Sequence, residues 1–162
     1  MSHDDSRGRK ARRYAFAQER LKKAIDAGFY LEAITLCESM LADRLHSSLA
    51  RRTKQIVPRN KSFGWLIGAH ESDPSLDKSS STDGVKVNDI FGVMSAWKGE
   101  RNELLHGFAK CFPGEAICEP AELMERAKDA AVEGQRLFRL LDNWHRKHTR
   151  NRDRPDGFDS AA

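Results

Sequence analysis

Apolar residues return every third or fourth position through most of this chain, and stretches rich in polar residues, Gly and Pro separate the periodic segments. Tyr14, Ala17, Leu21, Ala24 and Ile25 stand at helical spacing, and Gly28 ends that first helix. Phe29 to Leu49 predicts a longer one, with Leu31, Ile34, Leu41, Leu45 and Leu49 on one side. The linker SSLARRTKQIVPRNKS carries Pro58, so the helix must stop before it. Ser62 then suits the cap of a short helix, Phe63 to Ala69, whose Phe63, Leu66 and Ile67 supply core and whose Gly64 and Gly68 allow close approach. His70 to Lys86 is a loop by composition. A further helix holds Ile90, Val93, Met94, Trp97, Leu104, Leu105 and Phe108 on one broad apolar face. After the turn in CFPGEAICEP, Pro120 fits the first turn of a last helix running to about His148. Its stripe of Leu123, Ala127, Ala130, Gly134, Leu137, Leu141 and Trp144 is small in the first half, admitting a close neighbour, and bulky in the second. The pattern predicts an all-α bundle of four main helices plus a short helix.

Length adds that 162 residues make one domain with a sizeable core. Residues 1–10 read as a flexible basic segment, 11–148 as the helical domain and 149–162 as a disordered basic tail. A formal charge of +4 and a pI near 9.1 favour an anionic partner, RNA or an acidic protein. Two cation clusters are candidates for a phosphate backbone: Arg7, Arg9, Lys10, Arg12 and Arg13, which also read as a solvated tail, and Arg51, Arg52, Lys54, Arg59 and Lys61. Lys110 joins them as a candidate RNA contact. Three cysteines, Cys37, Cys111 and Cys118, with no C-x-x-C pair, point to reduced thiols in a cytoplasm, and no run approaches a membrane span.

Motifs for nucleotide hydrolysis, dinucleotide binding, serine hydrolysis and metalloproteolysis are absent. His145 and His148, three apart, lack a third metal ligand nearby, so neither metal nor cofactor is expected; His3, His46 and His70 read as surface histidines. The chemistry concentrates in Trp97 to Lys110, WKGERNELLHGFAK. Arg101 falls on the apolar face, whereas Asn102 and His106, four apart, stack on one flank where solvent or another chain can reach them. Arg offers a fixed charge and a planar fork for phosphate oxygens, and His moves a proton near neutral pH. RNA self-cleavage needs a base on the 2′-OH and an acid on the 5′-oxygen, placed on opposite sides of the phosphorus. Two copies of the helix about a two-fold axis supply both, so such a site is composite. Glu38, Asp43 and Arg44 on the second helix are candidates to support it, or are an ordinary exposed flank.

R-N-E-L-L-H resembles the Arg-x4-His signature of HEPN-domain proteins, where Asn often follows the Arg. FYLEAITLCESMLADRLHSSL resembles the long helix that precedes the signature in bacterial members, and SFGWLIGA the short segment between them; together the likeness covers roughly Leu21 to Trp144. The resemblance implies a HEPN-like bundle that dimerises about the signature helix. It also implies a metal-independent endoribonuclease with Arg101, Asn102 and His106 as catalytic residues, of the kind found in toxin–antitoxin or antiphage systems with a cognate antitoxin or regulatory protein. Some HEPN toxins carry a modifiable Tyr two residues after the His; Phe108 stands there, without the hydroxyl. Other members are non-catalytic modules that bind RNA or a partner protein, and a plain helical assembly protein with a structural Arg101 is the third possibility.

Overall fold

The computed structural model describes the backbone of residues 3–109 and 119–152, and side chains of residues 8–108 and 119–147. Five helices, α1 (His3–Asp26), α2 (Tyr30–Thr53), α3 (Phe63–Glu71), α4 (Val87–Ala109) and α5 (Pro120–Arg152), pack together with one small hairpin, β1 (Ser81–Thr82) and β2 (Val85–Lys86). The fold is an all-α bundle, in which α2 touches α1, α3 and α5 while α4 lies across α3 and α5. Among the described residues no helix is long and apolar enough to cross a membrane.

The apolar stripes behave as their spacing requires. Ile34, Leu41, Leu45 and Leu49 of α2 share one buried core with Leu123, Ala127, Ala130, Leu137, Leu141 and Trp144 of α5 and Ile90, Met94, Trp97 and Leu104 of α4. Three helices meet at Gly134, where a Cβ would stand 2.8 Å from the Trp97 ring and 3.0 Å from the Cys37 Cβ. The Trp97 indole is pinned there by donating 2.7 Å to the Ala130 carbonyl. Gly28, at φ +78°, closes α1, and Ser62 caps α3 by accepting from the Trp65 amide at 3.2 Å.

Several expectations are corrected. The segment expected to be a flexible tail is helical from His3, and by Lys10 it is tied to α2: the ammonium donates to Ser47 at 2.8 Å and pairs with Asp43 at 3.0 Å. The last helix runs past His148 to Arg152; residues 153–162 lie outside the described residues. The loop after His70 holds the hairpin, turned by Asp83 and Gly84 at φ +51° and +78°, the paired left-handed conformation a two-residue turn demands. Its Thr82 is buried, as is Leu76 before it. Val93 and Phe108, placed on the core face of α4, are 37% and 38% exposed because no described element covers that edge. Gly64 meets only the Lys98 side chain and Gly68 nothing within 4 Å, so neither admits a neighbouring backbone.

Two histidines read as surface residues, His70 and His46, have partners. His70 continues the α3 stripe of Phe63, Leu66 and Ile67, is fully buried, and donates from Nδ1 to the Leu66 carbonyl at 2.8 Å between Phe91 and Trp144. His145 is buried too. His46 donates to the Val57 carbonyl at 2.8 Å, which folds the segment after α2 back along that helix. His3 and His148 lie outside the residues whose side chains are described.

Candidate functional site

Helix α4 positions the signature by anchoring itself on both sides. Trp97, one turn before Arg101, is locked at the Gly134 crossing, and Leu104 is buried beyond it. On the α5 side, Arg126 donates to Glu100 through a two-point fork at 2.9 and 3.0 Å and to Glu103 at 3.1 Å. The fork keeps the Arg126 guanidinium protonated well above the usual arginine value, with Glu100 the main cause. These contacts fix the rotation of α4, and the rotation decides where the next three polar side chains point.

Arg101 turns inward toward α2. One terminal nitrogen pairs with Glu38 and the other donates to the Asn102 side-chain oxygen. Its side chain is 17% exposed, and the buried Nε has no hydrogen-bond partner. Burial pulls the guanidinium somewhat below its ordinary value, leaving it charged. The contact with Arg101 occupies the Asn102 oxygen and leaves the two amide protons available to an acceptor. His106, one turn beyond Asn102, is exposed and makes no hydrogen bond or ion pair among the described residues. A charge-fixing guanidinium, an amide donor and an accessible imidazole therefore share one stretch of one helix.

Of the supporting candidates, Glu38 reaches Arg101. Asp43 and Arg44 do not: Asp43 accepts from Tyr14 and Lys10 on the α1 side, and Arg44 pairs with Asp142 of α5 at 2.6 Å. Burial alone would raise the Asp43 carboxyl, but the hydrogen bonds from Tyr14 and Lys10 outweigh it and hold the group below its usual value. Five positions, about 140° around a helix, separate Glu38 from Asp43, and here the two side chains reach different helices, Glu38 meeting α4 and Asp43 meeting α1.

The proposed RNA contacts divide as well. Arg51, Lys54, Arg59 and Lys61 are exposed, and Lys61 lies 4.6 Å from the centre of the half-exposed Trp65 ring. Arg52 is partly buried instead: it pairs with Asp73 at 3.0 Å, both side chains 10% exposed, and lies over the Trp144 ring, so it braces the core. Lys110, Cys111 and Cys118 lie outside the described residues; Cys37 is buried, which pushes its thiol up to about 12. Among the described residues no three potential metal ligands gather.

Sequence reasoning passed over Lys98. It stands four before Asn102 and eight before His106 on the same flank of α4, with its ammonium 3.1 Å from where a Gly64 Cβ would be. The spacing of Lys98, Asn102 and His106 was visible in the sequence; the small residue at Gly64 that makes room for the ammonium was not tied to it. No family model matches the chain, and neither the curated proteins nor the solved structures contain one similar to it beyond chance.

Proposed function

We propose that this chain is a metal-independent endoribonuclease of the HEPN type, acting as a homodimer about α4. The observation that carries the reading is the accessible His106 imidazole one turn from Asn102, beside an Arg101 guanidinium held in place by Glu38. The outer face of α4 supports the dimer: Gly92, Ser95 and Ala96 are exposed, and Gly92 and Gly99 have open space where a Cβ would stand. A second copy apposed there brings two His106 side chains to one cleft. One imidazole takes the proton from the 2′-OH as that oxygen attacks phosphorus; the other protonates the departing 5′-oxygen. Arg101 stabilises the crowded, negatively charged phosphorane, and the Asn102 amide donates to a phosphate oxygen.

The test is cleavage of labelled tRNA and total RNA by the purified protein in EDTA, with product ends examined for 2′,3′-cyclic phosphate. His106→Ala is expected to lose at least about a hundredfold in rate, the usual minimum for removing a general acid–base group. Its melting temperature should hardly move, because His106 is exposed and makes no hydrogen bond or ion pair among the described residues. Wild type and variant equally inert on several RNAs would end the proposal. A second reading, a non-catalytic RNA-binding module, is favoured by the Arg101–Glu38 pair, since a carboxylate partner within the chain already accounts for the arginine. On that reading both proteins bind RNA alike and cleave none.

A further inference from the structure

Cations from two stretches far apart in the sequence line one groove. Helix α2 contributes Leu36, Ser39, Met40 and Asp43, α1 contributes Arg9, Lys10 and Arg13, and Arg59 comes from the segment after α2. Arg59 arrives there because the His46–Val57 hydrogen bond folds the segment after α2 back along the helix. The groove encloses about 790 Å³. It is separate from the signature: Leu36 and Met40 lie roughly 160° around α2 from Glu38, at about 100° per residue.

Charge gives the groove its character. Among the described residues of its lining, four are cations and one is a carboxylate, Asp43, already engaged by Lys10 at 3.0 Å and by the Tyr14 hydroxyl. Some exposed arginines outside the groove are matched, as Arg20 is by Glu32 and Arg136 by Glu133, both at under 3 Å, while Arg12 and Arg51 have no carboxylate partner among the described residues. Arg13 and Arg59 have no carboxylate partner among the described residues, and both are exposed. Unmatched guanidinium groups lining a concavity focus positive potential into it, and their planar forks suit phosphate oxygens. The Tyr14 ring stacks with Phe138 and lies 4.1 Å from the Arg44 guanidinium, and the Ser39 hydroxyl in the lining already donates to the Thr35 carbonyl at 2.9 Å. Base stacking and base reading are thus poorly served, while backbone phosphates are well served.

We infer that this groove holds the phosphodiester backbone of single-stranded RNA independently of sequence. The inference deepens the proposed function by naming where the RNA is held, and rests on RNA being the ligand. A duplex, being a convex rod, would meet only the rim; a single strand can enter.

The test uses the full chain carrying His106→Ala, so that RNA stays intact, and a fluorescent oligouridylate read by anisotropy across a salt series. Arg13→Glu with Arg59→Glu should weaken binding at least about tenfold and reduce the salt slope by about 1.4, two single-strand phosphate contacts' worth. Arg20→Glu with Arg136→Glu, an equal change in net charge outside the groove, should change affinity less than about threefold if local contacts rather than overall charge decide. Equal losses in both pairs, no loss in the groove pair, or no binding by the parent would overturn the inference. So would labelled polyglutamate that binds with the same groove dependence and displaces the RNA, which would make this a site for acidic protein. Groove-dependent binding without cleavage by the wild type retires the nuclease alone; cleavage indifferent to the groove pair retires the groove alone.

Discussion

At the scale of single residues, Arg101 is held by one carboxylate. With side chains 17% and 24% exposed, the Arg101–Glu38 pair is neither a screened surface contact nor a dry buried one. Its removal should cost about 1–2 kcal/mol, between the two limits. In a double-mutant cycle, Glu38→Ala and Arg101→Ala should show a coupling energy of about 1 kcal/mol in urea denaturation, and additive effects would mean the pair is not formed in solution. Glu38 was legible as an acidic candidate on α2, but Asp43 and Arg44 were equally so. The rotation of the helix chose among them: the Glu38 side faces α4, the Asp43 side faces α1 and Arg44 finds Asp142 on α5. His70 misled for a related reason. Its sequence neighbours on the far side are polar, yet it stands seven after Phe63, on the buried side of α3.

Among the elements, α4 and α5 set the geometry through the size of the side chains where they cross. Gly134→Ala gains helix propensity, about 1 kcal/mol, but drives a Cβ into the Trp97 ring and the Cys37 Cβ at 2.8 and 3.0 Å. The ring is tethered by its bond to Ala130 and the Cys37 Cβ belongs to the backbone of α2, so neither can yield cheaply. Overpacking, typically about 1–3 kcal/mol, should outweigh that gain, for a net loss of up to about 2 kcal/mol and a lower urea midpoint. Gly99→Ala, in the same helix as Trp97 but with open space around it, should instead gain about 0.5–1 kcal/mol. A gain at Gly134 or a loss at Gly99 in the monomer would show that the crossing is not packed as described. The small-then-bulky stripe of α5 was readable from spacing; that Trp97 and Cys37 are what the glycine admits was not, since nothing local pairs one helix face with another.

For the whole molecule, two buried histidines make stability depend on pH. Burial pushes His70 down to about 4; nearby Arg52 lowers it further, and Asp73 opposes. Burial also takes His145 to about 4, aided by Arg44, Arg51 and Lys10 and opposed by Asp142. Folded, both imidazoles stay neutral, while in the unfolded chain each protonates near about 6.5. Between these values the unfolded chain binds more protons, so stability is full above about 6.5 and falls as the pH drops toward 4. The loss approaches about 3 kcal/mol for His70 and less for the slightly exposed His145. The urea midpoint should therefore fall clearly from pH 7.5 to pH 5, and His70→Gln should flatten that slope; equal slopes would exclude His70 as a cause.

By itself the sequence determined the helices, because burying one face of a helix leaves a period of three to four that tertiary contacts only confirm. It also determined the α3 cap and the grouping of an arginine, an amide and an imidazole at Arg101, Asn102 and His106, since these belong to residue type and short spacing. Only the tertiary structure decided that Arg52 braces the core while Arg59 and Arg13 line one groove, that Glu38 rather than Asp43 meets Arg101, and that His70 is buried. Each depends on how one helix is turned against another. That rotation is set by the summed packing of many side chains, which no stretch of sequence carries locally.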